Sequence, residues 1–234
     1  MKLLMLGVCM LSAATVAGAP KVDKPRLPSG FEVLPFVETP AAGGQYVDTK
    51  YRPSCNDKFD TKVSFTKLNR RTAVFSSRGR NPMDCTMTCA VFEGVFRFDR
   101  NMQSKTQGAK GMVPPKSAKI VKDREYEISV NFQSCVATVD GDDVGYYMPP
   151  GDFKTKSDLL LFALACNGQK PEREACAKSM RMFGFSVEDE SGKKMMELVP
   201  AKRKKDGANG FYDTVRKMFL PFEKVAADAK KKGK

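Results

Sequence analysis

The chain is predicted to fold as an all-β protein, an antiparallel sandwich of two sheets, on three observations. Apolar residues recur with period two through most of it, turn-forming Gly, Pro, Asn and Asp interrupt them at short intervals, and helical periodicity is nearly absent. From Phe31 onward the pattern is that of strands. In Lys62-Val63-Ser64-Phe65-Thr66, Val63 and Phe65 face one way and the polar residues the other. Glu125 to Phe132 alternates more cleanly still, as a strand does with one face on a core and one in water. Cys135 to Val139 follows and ends at Asp140-Gly141, a strong hairpin signal. Leu159 to Ala165 does not alternate, and a run that short between polar flanks suits a strand in the middle of a sheet. Met180 and Met182 share one phase, whereas Phe183, Phe185 and Val187 share the opposite one, the slip a β-bulge produces. Ser191-Gly192 then turns the chain into Met195 to Val199. Only Phe222 to Lys232, rich in Ala and Lys, reads as a short C-terminal helix. No repeat of roughly 20–50 residues is present, which argues against a solenoid or propeller, and many short strands with frequent turns favour a sandwich.

The ends have their own character. Residues 1–19 read as a signal peptide: Met1-Lys2, an apolar run from Leu3 to Ala14, then Ala17-Gly18-Ala19. Cleavage after Ala17 or Gly18 competes with cleavage after Ala19, because Pro20 follows. Cys9 invites a lipoprotein reading, but Val8 before it is bulky and the apolar run continues past it. Residues 20–30 carry Pro20, Pro25, Pro28 and Gly30 among charges and read as a linker. Residues 31–222 form the domain, and 223–234 a basic tail. No later apolar run approaches the roughly 18–20 residues of a spanning helix, so a soluble protein, secreted or periplasmic or at the cell surface, is expected.

Six of the seven cysteines lie beyond the leader, and in an oxidising compartment they are expected to form disulfides. Six thiols allow about 15 pairings. Cys166 and Cys176 are the pair singled out, because they flank a polar segment between apolar strands. Cys85 and Cys89, four residues apart on an extended strand, lie about 13 Å from each other, beyond disulfide reach. No metal is expected, since the thiols lack ligand spacing and the chain has no histidine.

Absent histidine also removes Ser-His and Cys-His catalysis, and no glycine-rich phosphate cradle occurs. Glu188-Asp189-Glu190 is the dense acidic cluster late in the chain, but it runs into Ser191-Gly192 and reads as a solvated turn rather than paired glycosidase carboxylates. Asp140-Gly141-Asp142-Asp143 lacks the spacing of a calcium loop. Neither enzyme activity nor a cofactor is expected. The formal net charge is +13, with basic runs at Lys202-Arg203-Lys204-Lys205 and Lys230-Lys231-Lys232. Such runs either solvate the surface or attract polyanions, and for an exported protein those are acidic glycans or a cell envelope before nucleic acid. Candidate ligand residues are Arg78 and Arg80, an arginine pair suited to a carboxylate or sulfate, and Tyr146 and Tyr147, whose faces suit sugar stacking. The plain alternatives are surface arginines and core-filling tyrosines.

Two phrases near opposite ends carry a resemblance. Gly43-Gly44-Gln45-Tyr46-Val47-Asp48-Thr49 with Tyr51 and Pro53 is one. Leu198-Val199-Pro200-Ala201-Lys202-Arg203, Asp206-Gly207, Gly210-Phe211-Tyr212-Asp213 and Phe219 is the other. Together they resemble the opening and closing motifs of a secreted bacterial family with a concanavalin A-like (laminin G-like) jelly-roll fold. The middle is similar too, in Ala73-Val74-Phe75-Ser76-Ser77-Arg78, Leu160-Leu161-Phe162-Ala163, Asn167-Gly168 and Met182-Phe183-Gly184-Phe185, and the resemblance puts Asn167 on a loop at the sandwich edge, as a candidate rim residue for a ligand. The resemblance covers residues 31 to 222 and implies one jelly-roll domain in which Tyr46 with Asp48, and Tyr212 with Asp213, lock the two ends together. The resemblance does not itself identify a ligand. With the basic runs and the candidate residues it leads to the expectation of a non-catalytic lectin-like module binding a glycan or acidic polysaccharide, with an envelope-associated structural or adhesion protein as the alternative and a glycan hydrolase behind both. The cysteines, the lysine-rich tail and Met182 depart from the family pattern.

Overall fold

Alternation in the sequence becomes sixteen strands in the computed structural model, which describes residues 25–40, 44–48, 50–51, 57–69, 72–78, 86–101, 117–131, 136–144, 159–164 and 177–224. Among the described residues every regular element is a strand. In chain order these are β1 (Phe31–Val33), β2 (Val37–Glu38), β3 (Gly44–Asp48), β4 (Lys58–Phe65), β5 (Thr72–Arg78), β6 (Thr86–Phe92), β7 (Val95–Asn101) and β8 (Ala118–Lys119). They continue with β9 (Glu125–Asn131), β10 (Val136–Val139), β11 (Asp142–Val144), β12 (Leu159–Leu164), β13 (Met180–Glu188), β14 (Lys194–Arg203), β15 (Asn209–Asp213) and β16 (Met218–Lys224).

All pairings are antiparallel. The first sheet runs β11-β10-β9-β4-β13-β14-β15-β16, and the second runs β16-β3-β12-β5-β6-β7-β8. Strand β16 belongs to both: Met218 to Pro221 pair with β15, and Phe222 to Lys224 pair with β3. The two layers make a jelly-roll sandwich. β1 pairs with the end of β14 and β2 with the start of β13, so the N-terminal segment caps the first sheet.

Each strand follows from its own pattern. In β9, Tyr126, Ile128 and Val130 are buried while Glu125 and Glu127 are exposed. In β4, Phe59, Val63 and Phe65 point inward and Lys58 and Lys62 outward. The layers meet through aromatic rings: Phe59 of β4 stacks on Phe75 of β5 at 5.3 Å between centroids, and Phe185 of β13 meets both edge-on. The unalternating run is an interior strand, β12, paired with β3 on one side and β5 on the other. Asp140 and Gly141 adopt positive φ in the β10–β11 hairpin, as a primed two-residue turn requires. No helix among the described residues is long and apolar enough to cross a membrane.

Two expectations are corrected. Phe222 to Lys224, where a helix was expected to begin, are the last residues of β16. Backbone pairing with β3 and the packing of Phe222 against Tyr46, 6.3 Å between rings, hold them extended. Residues 225–232 of the expected helix lie outside the described residues. The bulge in β13 is present, with its register shift between Met182 and Gly184, but Phe183 does not share the inward face of Phe185 and Val187.

A buried hydroxyl network ties the layers at one end. The Ser179 hydroxyl lies 2.7 Å from that of Thr72, in the second sheet, and 3.3 Å from that of Thr39, which also accepts the Ser179 N–H. All three residues are buried, so each hydroxyl must find its partner inside the protein.

Gly210 marks the tightest backbone approach. A Cβ there would lie 2.2 Å from the Leu220 carbonyl oxygen of β16. Gly210→Ala is therefore expected to push β15 from β16 and to cost about 1–3 kcal/mol. Chemical denaturation checks this, and an unchanged midpoint would contradict so close a contact.

Candidate functional site

Two of the four residues expected to lock the ends, Asp48 and Asp213, meet on one guanidinium, that of Arg216. Asp48, at the end of β3, and Asp213, at the end of β15, are both fully buried. Arg216 Nη2 donates to Asp48 Oδ2 at 2.5 Å, and Arg216 Nε donates to Asp213 Oδ2. The second oxygen of each carboxylate caps a turn: Asp48 Oδ1 accepts the Lys50 and Tyr51 N–H groups, and Asp213 Oδ1 accepts those of Val215 and Arg216. Burial works against the Arg216 charge, yet its bonds to Asp48 and Asp213 outweigh that and raise its pKa further. The Tyr51 ring lies 5.6 Å beneath the guanidinium, and its hydroxyl donates to Asp57 at 2.5 Å. Burial, then that bond, pushes the Tyr51 phenol up. Tyr46 packs edge-on against Phe211, and Tyr212 lies tilted against Phe31, 4.7 Å between centroids. Arg216 escaped the sequence reading; its one signal is its position three residues after Asp213.

Arg216→Ala would leave two buried carboxylates without their cation. It is expected to cost about 3–5 kcal/mol in denaturant unfolding, with Arg216→Lys between it and the native protein because an ammonium cannot fork to both acids.

Of the ligand candidates, Arg78 ends β5 opposite Leu159, in the second sheet, and its side chain lies outside the described residues. Arg80, Tyr146, Tyr147, Asn167, Cys166 and Cys176 also lie outside them. Cys89 is buried on β6. Asp189 closes the β13–β14 turn, its carboxylate accepting from Ser191 and Lys193. Among the described residues no group of three or more His, Cys, Asp or Glu is arranged to hold a metal ion.

What the geometry does assemble is a groove on the outward face of the first sheet, and the β13 bulge creates it. Val63 pairs with Met182 and Lys62 with Gly184, which leaves Phe183 without a partner on β4. Met182 and Phe185 both turn inward, so the extra residue between them is aimed outward. The Thr61 hydroxyl donates to the Gly184 carbonyl at 2.5 Å and secures the bulge from the neighbouring strand. Phe183 stands half-buried in a groove of about 650 Å³, beside Asp60, Lys62, Glu127, Ser129 and Glu197.

No protein-family model matches the chain, and no curated protein matches it in sequence. Among solved structures, domains LG4-5 of the mouse laminin α1 chain are similar at 13% identity, with 84% of this chain and 53% of that one covered and a TM-score of 0.42. The chain thus spans about half the length of that structure. A likeness at this level carries nothing about a ligand, and the groove's own residues must supply the chemistry.

Those residues are held in place by their neighbours. Glu197 Oε1 accepts from Lys194 at 2.7 Å and Oε2 from the Thr214 hydroxyl at 2.5 Å, and these bonds lower its pKa. Asp60 pairs with Lys58 at 3.2 Å, and Lys62 with Glu125 at 2.5 Å, a bond that raises the lysine pKa. The groove thus offers one aromatic face among oriented oxygen acceptors. None of this was legible as a site, because each polar residue reads as the ordinary solvent side of its own strand and Phe183 reads in phase with Phe185 and Val187.

The sign of one pH effect follows. A carboxylate with a lowered folded pKa contributes stability above its unfolded value, about 4.3 for Glu, and loses it as pH falls through the folded value. Glu197→Gln is expected to lose less stability than the native protein on acidification below about pH 4.3, and matching acid limbs for the two proteins would show that Glu197 is not held as described.

Proposed function

We propose that the protein is a non-catalytic, lectin-like module that binds glycan chains in the groove on the outward face of its first sheet. The observation that carries this reading is Phe183, the unpaired bulge residue set among Asp60, Glu127, Ser129 and Glu197. A sugar ring presents an apolar face that stacks on an aromatic ring and an edge of hydroxyls that donate to carboxylates. The groove supplies both, at a size suited to a small-ligand site. Lys202, Lys204 and Lys205 are exposed at the β14–β15 turn, where they would raise encounter rates with anionic polymers at low salt. Arg203 is partly withdrawn from that patch by its fork onto Asp206. The leader-like N terminus is the support for reading this activity as one outside the cell or at its surface.

A glycan array at two ionic strengths tests the reading. Phe183→Ala is expected to weaken retention about tenfold, the loss of one aromatic contact, with its melting temperature unchanged. Retention of no sugar at either salt would defeat it. That outcome, with self-association, would favour a module that docks other proteins, which the half-exposed Phe92 at the β6–β7 hairpin suits.

A further inference from the structure

Beside the first groove lies a second, of about 670 Å³, between the β2 segment and the β3–β16 edge. Phe36, Glu38, Tyr46, Lys67 and Asn209 are among its lining residues. The two share a wall. Phe36 of the second groove meets Phe183 of the first edge-on, at 5.9 Å between ring centroids. Cations flank this aromatic ridge: Lys62 Nζ lies 5.8 Å from the Phe183 ring, and the Arg181 guanidinium 5.0 Å from the Phe36 ring.

Arg181 is the unusual member. Its Nε is buried without a hydrogen-bond partner among the described residues, and its nearest carboxylate, Glu38, stands 3.6 Å away. Its guanidinium forms no hydrogen bond to any described residue, although the side chain is 39% exposed. Such a fork retains donors for an anion arriving from solvent. Lys62, by contrast, is already bonded to Glu125.

We propose that the two grooves are one track for an extended polysaccharide, and that Arg181 reads a carboxylate on the sugar that crosses the Phe183–Phe36 ridge. This rests on the glycan reading of the first groove and adds the ligand class. Asp60, Glu127 and Glu197 along the first groove, and Glu38 in the second, repel a polymer that is acidic at every residue. The complementary chain alternates an acidic sugar with a neutral one, so that hydroxyls meet the acceptors and a carboxylate meets Arg181.

The test uses two ladders, hyaluronan oligosaccharides, which alternate uronate with neutral hexosamine, and neutral chito-oligosaccharides, each from disaccharide to decasaccharide, titrated calorimetrically into the full chain. Affinity for hyaluronan is expected to rise with length until both grooves are filled and to exceed that for the neutral ladder. Arg181→Gln is expected to remove roughly tenfold or more of that preference, the worth of a charge-assisted pair, and Arg181→Lys to restore part of it. Phe36→Leu is expected to abolish the gain with length while leaving the shortest oligomers unaffected, and thermal melting confirms that each variant is folded. Binding that depends on Phe183 but not on length or on Arg181 would overturn the track and leave the groove reading standing. Binding of neither ladder would overturn the track, and loss of all glycans on the array would overturn the groove as well.

Discussion

Arg216 holds the two ends of this sandwich in register. Asp48 closes β3, near the start of the domain, and Asp213 closes β15, near its end, and both carboxylates are fully buried against the same guanidinium. Two anions in a low-dielectric interior tolerate each other only with a shared cation and with their remaining oxygens engaged. Here the turn N–H groups of Lys50, Tyr51, Val215 and Arg216 engage them. The electrostatic contact is therefore also a geometric one, since it fixes where β3 ends and where the chain leaves β15. That register lets β16 pass from one layer to the other with Phe222 seated beside Tyr46.

The outward groove is a product of the same sandwich, seen from its other face. Strands β4, β9, β13 and β14 bury one set of side chains, so the alternate set lines up across the sheet. A flat row of that kind would be ordinary surface. One extra residue in β13 changes it, because the bulge turns Phe183 out and Thr61 holds the displaced carbonyl of Gly184. The second sheet supports the bulge from beneath, through the packing of its Phe75 against Phe59 and Phe185.

Much of the fold was legible because its signals are local. Tyr126, Ile128 and Val130 name their own buried face, Asp140-Gly141 names its hairpin, and the phase slip after Met182 names the bulge. Period two does not reveal which residue a bulge leaves unpaired, and so it puts Phe183 in phase with Phe185 and Val187, whereas the bulge turns it outward. The groove was illegible for a different reason. Asp60, Glu127 and Glu197 sit on strands far apart in the chain, and only the order of strands in the sheet makes them neighbours. The partnership of Arg216 with Asp48 spans 168 positions, a distance no local pattern reports. Among the residues expected to contact ligand, only Arg78 falls within the described strands, and it lies in the other layer.

Strand connectivity has a consequence for how the protein reaches this state. Among the described residues, β1 and β2 pair only with β14 and β13, and β3 pairs only with β12 and β16. None of the first three strands has a partner before Leu159 among the described residues. Closing loops of that length precedes any reward from the contacts they allow, which makes assembly slow and cooperative. A growing polypeptide would carry its opening segment idle until the final third arrived, and maturation would be a single late event rather than a progressive one.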